Sequence, residues 1–461
     1  MHYPFWYVPG LTSPMLIAIV ATLHVFVSMF AVGGGIVLAS GIRTSYGTGD
    51  RDLLNYLHRF TWFFILITVA YGAISGVGIW WTIGLASPLA TSDLIHIFVF
   101  VWAQEYAAFI VEVVAAFILF YGWKRLDPRS HQQIACIYAG AAWLSLFFIT
   151  PITSFMLRNS SHELQTGVFE AFFNAQALPQ ILARTGGSLL LAALYIFLHA
   201  AIIIPKDDTL RFRLSGVVSR WAMLGGALTI LGGITWYIFS PPGAQAALAG
   251  AATLNILMAL IFGLTAATVA IMYLGPYRNP GWINLGFALL LFPMGLAATG
   301  TGEFIREAVR KPYVVYNRVL SNNIWVHEVP SLQRAGYLES GVWTKIYLAE
   351  QFPQLIAADQ VDEAKIATLP RDRRIELGRA LFQYHCNQCH SEQGYSSISL
   401  ITRGWNREMI YVTTLNLNRT HFFMPPWCGT PEEAGALADY VYQVARPYPA
   451  GLPAPSGGAS R

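Results

Sequence analysis

Two cysteines and a histidine carry the clearest chemistry in the chain. Cys386-Asn387-Gln388-Cys389-His390 is a C-x-x-C-H motif, in which two thiols add to porphyrin vinyl groups and the adjacent histidine ligates the iron. Further on, Met424-Pro425-Pro426-Trp427 supplies a thioether on a Pro-stiffened loop, a candidate sixth ligand. His421 and His385 are the alternatives for that position. A redox or zinc C-x-x-C that merely precedes a histidine is the other reading of the motif. A second set of residues lies in apolar surroundings, where an ionisable group is costly and therefore a functional candidate. His24 is either a haem ligand or a hydrogen-bonded core histidine. Glu105 and Glu112 lie seven apart, on one helix face and about 10 Å apart along its axis, as a proton relay or a structural couple. Arg184 interrupts another apolar run, and Asp93 and His96 begin the one that carries the two glutamates.

Elements that position the C-x-x-C-H motif can be read on both sides of it. Glu376 to Phe382 reads as a short amphipathic helix running into the motif. Thr430-Pro431-Glu432-Glu433 opens a closing helix, with Thr430 as N-cap, Pro431 at the first helical position and Glu433 completing a capping box. Leu437, Tyr440, Val441 and Val444 form its apolar stripe. Helix, motif, Met loop and helix in this order resemble a small class I cytochrome c over residues 371–446. The resemblance implies one covalent haem c on Cys386 and Cys389, with His390 and Met424 as axial ligands. Haem c is attached outside the cytoplasm, so this segment is expected to face the periplasm or cell exterior.

The remainder has the composition of a membrane protein. Of 461 residues, 55% are hydrophobic and only 12% charged, far from a soluble globule. The net charge of +4 gives no reason to expect a nucleic-acid partner. Eight apolar segments reach the roughly 20 residues a crossing needs, near 12–39, 59–85, 94–122, 133–155, 179–204, 219–240, 247–273 and 282–300. Their connections alternate in charge: Arg43 and Arg51, then Lys124, Arg125 and Arg129, then Lys206, Arg211 and Arg213, and finally Arg278 fall on one side. The positive-inside rule makes these loops cytoplasmic and the N-terminus external. Eight crossings then return the chain to the outside just before the haem motif. Of four cysteines, two belong to that motif, and no disulfide is predicted for Cys136 and Cys428. Met1-His2-Tyr3-Pro4-Phe5-Trp6 lacks a basic n-region, so no cleaved signal peptide is expected.

The expected architecture is all-α: a polytopic bundle of eight transmembrane helices in two four-helix groups, plus a small C-terminal all-α cytochrome c domain. Residues 1–310 form the haem-binding bundle, 311–370 an ordered extracytoplasmic connector with Trp325 and Trp343, 371–446 the cytochrome domain and 447–461 a disordered tail. Gly72-x-x-x-Gly76, Gly33-Gly34-Gly35, Gly186-Gly187 and Gly232-Gly233 read as close helix packing, or as close approach of a porphyrin. His58, His131 and His199 sit at cytoplasmic helix ends, where solvated side chains are expected. His162 and His327 fall outside and have no assigned role.

Within residues 10–313 four stretches resemble subunit I of cytochrome bd-type oxygen reductases. They are His24-Val25-Phe26-Val27, then Gly72-Ala73-Ile74-Ser75-Gly76, then Ala108-Phe109-Ile110-Val111-Glu112 closing on Gly122-Trp123-Lys124-Arg125-Leu126. The last and most specific follows the eighth apolar segment: Thr301-Gly302-x-Phe304-x-x-Glu307-x-x-Arg310-x-Pro312-Tyr313. The resemblance implies that His24 ligates one high-spin haem, that Glu307 ligates a second, and that Arg310 pairs with propionates. The two haems are of b and/or d type. Glu112 lies on a proton route from the cytoplasm, and a second bd-like membrane subunit is expected.

Departures from the family pattern are equally informative. Strict spacing puts the family's second third-helix glutamate on Gln104, with Glu105 about 100° further round. The low-spin haem histidine aligns with Ala183 or Arg184, and its methionine partner with Leu257 beside Met258, so a low-spin haem b is doubtful. The quinol-oxidising loop shrinks to about 241–250, and the family's ninth helix gives way to the connector and cytochrome. The expected function is therefore a catalytic subunit of a bd-like terminal oxidase in a bacterial or archaeal cell membrane. Electrons arrive at haem c from a periplasmic c-type cytochrome or another donor, and O2 is reduced to water, with Glu105 and Glu112 carrying protons. The alternatives are a non-oxidase electron-transfer cytochrome relaying electrons to a partner enzyme or quinone, and reduction of another small ligand such as NO.

Overall fold

A computed structural model describes residues 6–158, 167–205 and 208–446. His162, Lys206 and the tail from Pro447 lie outside the described residues. Among the described residues, eight helices are long and apolar enough to cross a membrane: α1 (Ser13–Thr48), α2 (Arg51–Ala86), α3 (Pro88–Gly122), α4 (Pro128–Phe155), α5 (Ala177–Ile203), α6 (Thr209–Ile238), α7 (Ala252–Tyr277) and α8 (Leu285–Ala308). The all-α, eight-span expectation holds.

Most boundaries differ from the hydropathy reading for a physical reason. Apolar character marks only the part of a helix in hydrocarbon, whereas a cap marks where the backbone begins to turn. Asp50 accepts from the Leu53 amide, Asp127 from Arg129 and Ser130, Asp208 from Leu210 and Asn284 from Phe287. Helices α2, α4 and α6 therefore start five to ten residues before their apolar runs. At the other end, α8 runs on to Ala308, so Glu303 and Glu307 belong to its last turns and do not follow it. The segment read as 247–273 is two helices, a short Pro242–Gly250 and α7, separated at Ala251. Two irregularities matter below: a π-helical turn at Leu66–Tyr71 inside α2, and a kink at Phe98 inside α3.

Two compact units make up the chain, residues 17–84 with 90–319, and residues 1–16 with 85–89 and 320–461. In the first, α5 is the enclosed helix: every residue from Ser188 to Phe197 is buried. Small residues let α6 approach it: a Cβ at Gly186 would lie 2.4 Å from the Thr229 amide, and one at Gly232 the same distance from that of Ala183. An aromatic cluster fills the space between α1, α2, α5 and α8. Phe30 stacks on Tyr195 at 3.9 Å between centroids, with Phe64 edge-on to Phe30 and Phe292 edge-on to Tyr195.

The second unit holds α9 (Val342–Gln351), α10 (Arg371–His385), α11 (Arg407–Leu415) and α12 (Pro431–Val444). Leu338, Leu348, Phe352, Leu355 and Ile366 from the connector share one apolar core with Leu377, Leu381, Leu437 and Val441. Thr430 and Glu433 form the expected capping box at the start of α12. Helices α10 and α12 cross tightly, since a Cβ at Gly378 would meet the Ala436 carbonyl at 2.1 Å.

Candidate haem and proton-transfer sites

The end of α10 delivers Cys386, and the turn after it brings Cys389 and His390 back onto the Cys386 carbonyl. His390 Nδ1 lies 3.1 Å from the Ser396 carbonyl oxygen. A carbonyl only accepts, so Nδ1 carries the proton and Nε2 is the nitrogen with a lone pair for metal. Asn387 (both side-chain polar atoms) and Gln388 Oε1 are buried without a protein partner. Buried polar groups are almost always satisfied, so the motif fits a group that the polypeptide does not supply. The Met424 amide bonds the His421 carbonyl, which fixes the thioether loop. His385 is packed between Tyr337 and Trp427, its Nδ1 3.4 Å from Asn322 Nδ2 and its Nε2 unpartnered. Burial pulls it down to about 3, so the ring is neutral. All four cysteines are unbridged.

His24 projects from α1 toward α2. Its Nδ1 is 3.1 Å from Ser75 Oγ, and a Cβ at Gly76 would lie 3.1 Å from its Cε1. Gly76 thus makes room for the imidazole, and Gly33, Gly186 and Gly232 serve backbone approach instead. The ring is half-buried, which suits a ligand that must still reach a large group.

Glu105 and Glu112 both turn toward α4, whereas Gln104 is exposed on the outer face of α3. Ser145 Oγ donates to Glu105 at 2.7 Å, and Tyr138 Oη donates to Glu112 at 3.1 Å. The two hydroxyls are themselves seven apart on α4, so a pair on one helix meets a matching pair on its neighbour. The kink at Phe98 precedes Glu105, leaving the α3 stretch that carries both glutamates regular.

Toward the end of α8, both Glu307 oxygens are engaged. Arg310 pairs with one, and Lys311 Nζ lies 3.0 Å from the other. Arg310 also donates to the carbonyls of Arg306 and Val314 at 3.1 and 3.0 Å. As placed, each Glu307 oxygen thus faces a cation, and most of the Arg310 guanidinium is spent on Glu307 and main-chain carbonyls. One turn earlier Glu303 pairs with Arg306 at 2.7 Å. These two, with Met29, Ala183, Arg184 and Met258, line a cavity of about 270 Å³. The positions aligned with the family's low-spin ligands thus come together, but as a guanidinium and a methionine. Arg184 donates to Thr150 Oγ1 at 3.4 Å.

The solvated histidines of the sequence reading need correction. His131 is fully buried, with Nδ1 2.7 Å from Tyr46 Oη, and His199 is buried 3.2 Å from Tyr56 Oη. Both sit where neighbouring helices pack, His131 of α4 against Tyr46 of α1 and His199 of α5 against Tyr56 of α2. Asp93, near the start of α3, is buried, and Arg318 holds it through two bonds of 2.6 and 2.8 Å. Sequence reasoning missed Ser75, Tyr138, Ser145 and Arg318. The seven-residue spacing of Tyr138 and Ser145 was the one available signal.

Eight apolar helices and a C-x-x-C-H domain define a multi-pass membrane cytochrome, a haem-binding oxidoreductase. Residues 13–235 match the family described as cytochrome bd terminal oxidase subunit I, and residues 373–441 match cytochrome C oxidase, cbb3-type, subunit III. The chain thus carries a region similar to a bd-type subunit I followed by a region similar to that second kind of cytochrome domain. The bd oxidase of Geobacillus thermodenitrificans has a similar fold, with a TM-score of 0.57 at 18% identity over 67% of this chain and 89% of that one. No curated protein sequence matches the chain.

Proposed function

We propose that this chain is the catalytic subunit of a bd-like terminal oxidase that receives electrons through an exported c-type haem, not from quinol, and reduces O2 to water at high-spin haems. One observation carries the reading. A cytochrome c domain is part of the same chain as the bd-type bundle, while α6 and α7 are joined only by residues 239–251, most of them in the short helix Pro242–Gly250. A quinol-oxidising loop is thus lost where another electron port is gained.

Bound haem irons supply one-electron transfer and, where an axial position stays open, a place for O2. Cys386 and Cys389 would hold the single covalent haem c, with His390 Nε2 and the Met424 thioether available to its iron. His24 would hold one high-spin haem of b or d type. Glu307 is the proposed ligand of the other, with Arg310 beside it, and that role requires one of its ion pairs to open. Arg184 takes the place of a low-spin histidine, in keeping with a missing low-spin haem b. Glu105 and Glu112 take protons from the cytoplasmic side, each paired with a hydroxyl able to donate or accept. The basic loops orient the bundle with the N-terminus and cytochrome domain outside. On α3, Phe100, Tyr106, Val111 and Val114 are exposed, a surface suited to lipid and to a second bd-like subunit. The donor is a periplasmic c-type cytochrome or another exported carrier.

Oxygen uptake by the purified complex, driven by a reduced c-type cytochrome and compared with quinol, tests this reading. Uptake with the cytochrome and not with quinol is the expected result. The engagement of both Glu307 oxygens favours a second reading, a relay cytochrome without O2 chemistry. No uptake, together with haems that are all six-coordinate and inert to CO, would establish that alternative.

A further inference from the structure

The geometry points to Ser75 as the residue that sets the tautomer and rotation of the His24 imidazole, so that Nε2 is presented to iron. The inference rests on His24 being an iron ligand, and it assigns Ser75 a positioning role.

Three features converge on it. First, the Ser75 hydroxyl proton already has acceptors: the Tyr71 carbonyl at 2.8 Å and the Gly72 carbonyl at 3.2 Å. A serine has one proton to donate and two lone pairs. With the proton directed at its own helix, Oγ faces His24 Nδ1 at 3.1 Å as an acceptor. Nδ1 is therefore the protonated nitrogen and Nε2 the one with the lone pair. His390 reaches the same tautomer through the Ser396 carbonyl, so both candidate iron-ligating histidines have Nδ1 tied down.

Second, Gly76 borders the ring on the next residue. A Cβ there would stand 3.1 Å from Cε1, with Nδ1 at 3.7 Å and Nε2 at 3.9 Å, so a side chain at 76 would press on the ring at Cε1 and tend to turn it. Third, the π turn at Leu66–Tyr71 immediately precedes this cradle. One extra residue in a turn rotates everything after it by about 100°. That rotation sets which face of the second half of α2 meets α1, and it leaves Ser75 buried and Ile74 exposed. The Gly72-Ala73-Ile74-Ser75-Gly76 stretch is thus an imidazole holder: a hydroxyl anchor and a bare Cα side by side, phased by a π turn.

Thr and Val have nearly the same shape and differ by the hydroxyl, so Ser75→Thr and Ser75→Val form the decisive pair, with Ser75→Ala as the smaller control. The readout is the iron–histidine stretching band of the ferrous, high-spin haem by resonance Raman, on the purified membrane complex. Ser75→Thr should keep the parent band. Ser75→Val and Ser75→Ala should shift it to lower frequency and broaden it, because Nδ1–H loses its acceptor and the ring is free to turn. His24→Ala separates the two levels of the argument. If it leaves the band in place, the His24 assignment itself fails. If it removes the band while Thr, Val and Ala at position 75 all give the parent frequency, His24 stands and the role of Ser75 is overturned.

Discussion

Replacing Asp93 by Asn should destabilise the bundle more than any other single-atom change outside the candidate haem sites. Arg318 grips Asp93 through parallel bonds of 2.6 and 2.8 Å, and each side chain is only 6% exposed. A buried pair of this kind gains little over an apolar pair, but removing one partner strands the other charge, at a cost of about 3–5 kcal/mol. Asp93→Asn keeps the shape and removes the charge that faces the Arg318 guanidinium, so the open form should become roughly two to four orders of magnitude more populated, at about 1.4 kcal/mol per factor of ten. Arg318→Met should cost a similar amount by stranding the carboxylate. Asp93→Leu with Arg318→Met removes both charges and should cost far less than the two single changes together.

Thermal unfolding in detergent, followed by loss of bundle haem absorbance and by protease cleavage between residues 312 and 319, measures each corner of the cycle. The segment matters because it continues from Arg310, which donates to the Val314 carbonyl. Loosening at Arg318 should therefore also disturb the Glu307–Arg310 pair. Two additive single effects, or single changes costing less than about 1 kcal/mol, would mean that the pair is solvated and that this account of Asp93 is wrong.

Glu112→Gln and Tyr138→Phe should each slow O2 uptake by about tenfold, the scale of one hydrogen bond of about 1.5 kcal/mol, with haem content unchanged; normal turnover in both would discard the proton route. Cys386→Ser should abolish haem staining on a denaturing gel, and retained staining would show that Cys389 alone suffices for attachment. The buried carboxyls of Glu363 and Glu433 predict a pH effect on the cytochrome domain. Desolvation raises both, and the charge of Glu433 adds to the rise at Glu363. A group whose folded value is raised holds more protons folded than unfolded, so its contribution is complete in acid and is lost as pH rises through neutrality into the mildly alkaline range. Melting temperature should fall over that range, and Glu363→Gln should flatten the fall; an unaltered profile in the variant would remove Glu363 from the account.

Much of the architecture was legible because membrane crossing imposes a simple rule on composition. Eight apolar runs and their alternating basic loops gave the helix count. Boundaries were lost where Asp50, Asp127 and Asp208 cap helices well before hydrocarbon begins. Cys386, Cys389 and His390 were legible because their chemistry needs fixed neighbours in sequence, and Thr430 and Glu433 because a capping box is local. Arg318 was not, since its partner is 225 positions away. Nor was the burial of His131 and His199, where a helix end by hydropathy is still the interior of a bundle.

The partners that could not be read share a chemical type. Three of the titratable groups inside the bundle that the sequence singled out meet a hydroxyl from a neighbouring helix: His24 meets Ser75, Glu105 Ser145 and Glu112 Tyr138, while Arg184, which stays charged, meets Thr150. His131 and His199 meet Tyr46 and Tyr56 in the same way. A hydroxyl both donates and accepts, so it satisfies a carboxylate or its acid, and either imidazole tautomer, after a mere rotation. It neutralises the cost of burial without fixing the charge. Ion pairs do the opposite: Asp93–Arg318 and Glu307–Arg310 hold their charges in place, because neither member can change state without stranding the other. The buried groups thus divide into those free to exchange protons and those locked. Glu105 and Glu112 fall in the first class, which is where a proton route must run. Glu307 falls in the second, so any role at iron requires its lock to be broken first. Serine, threonine and tyrosine are too common in apolar helices for this division to be visible in sequence; it appears only when the helices are packed.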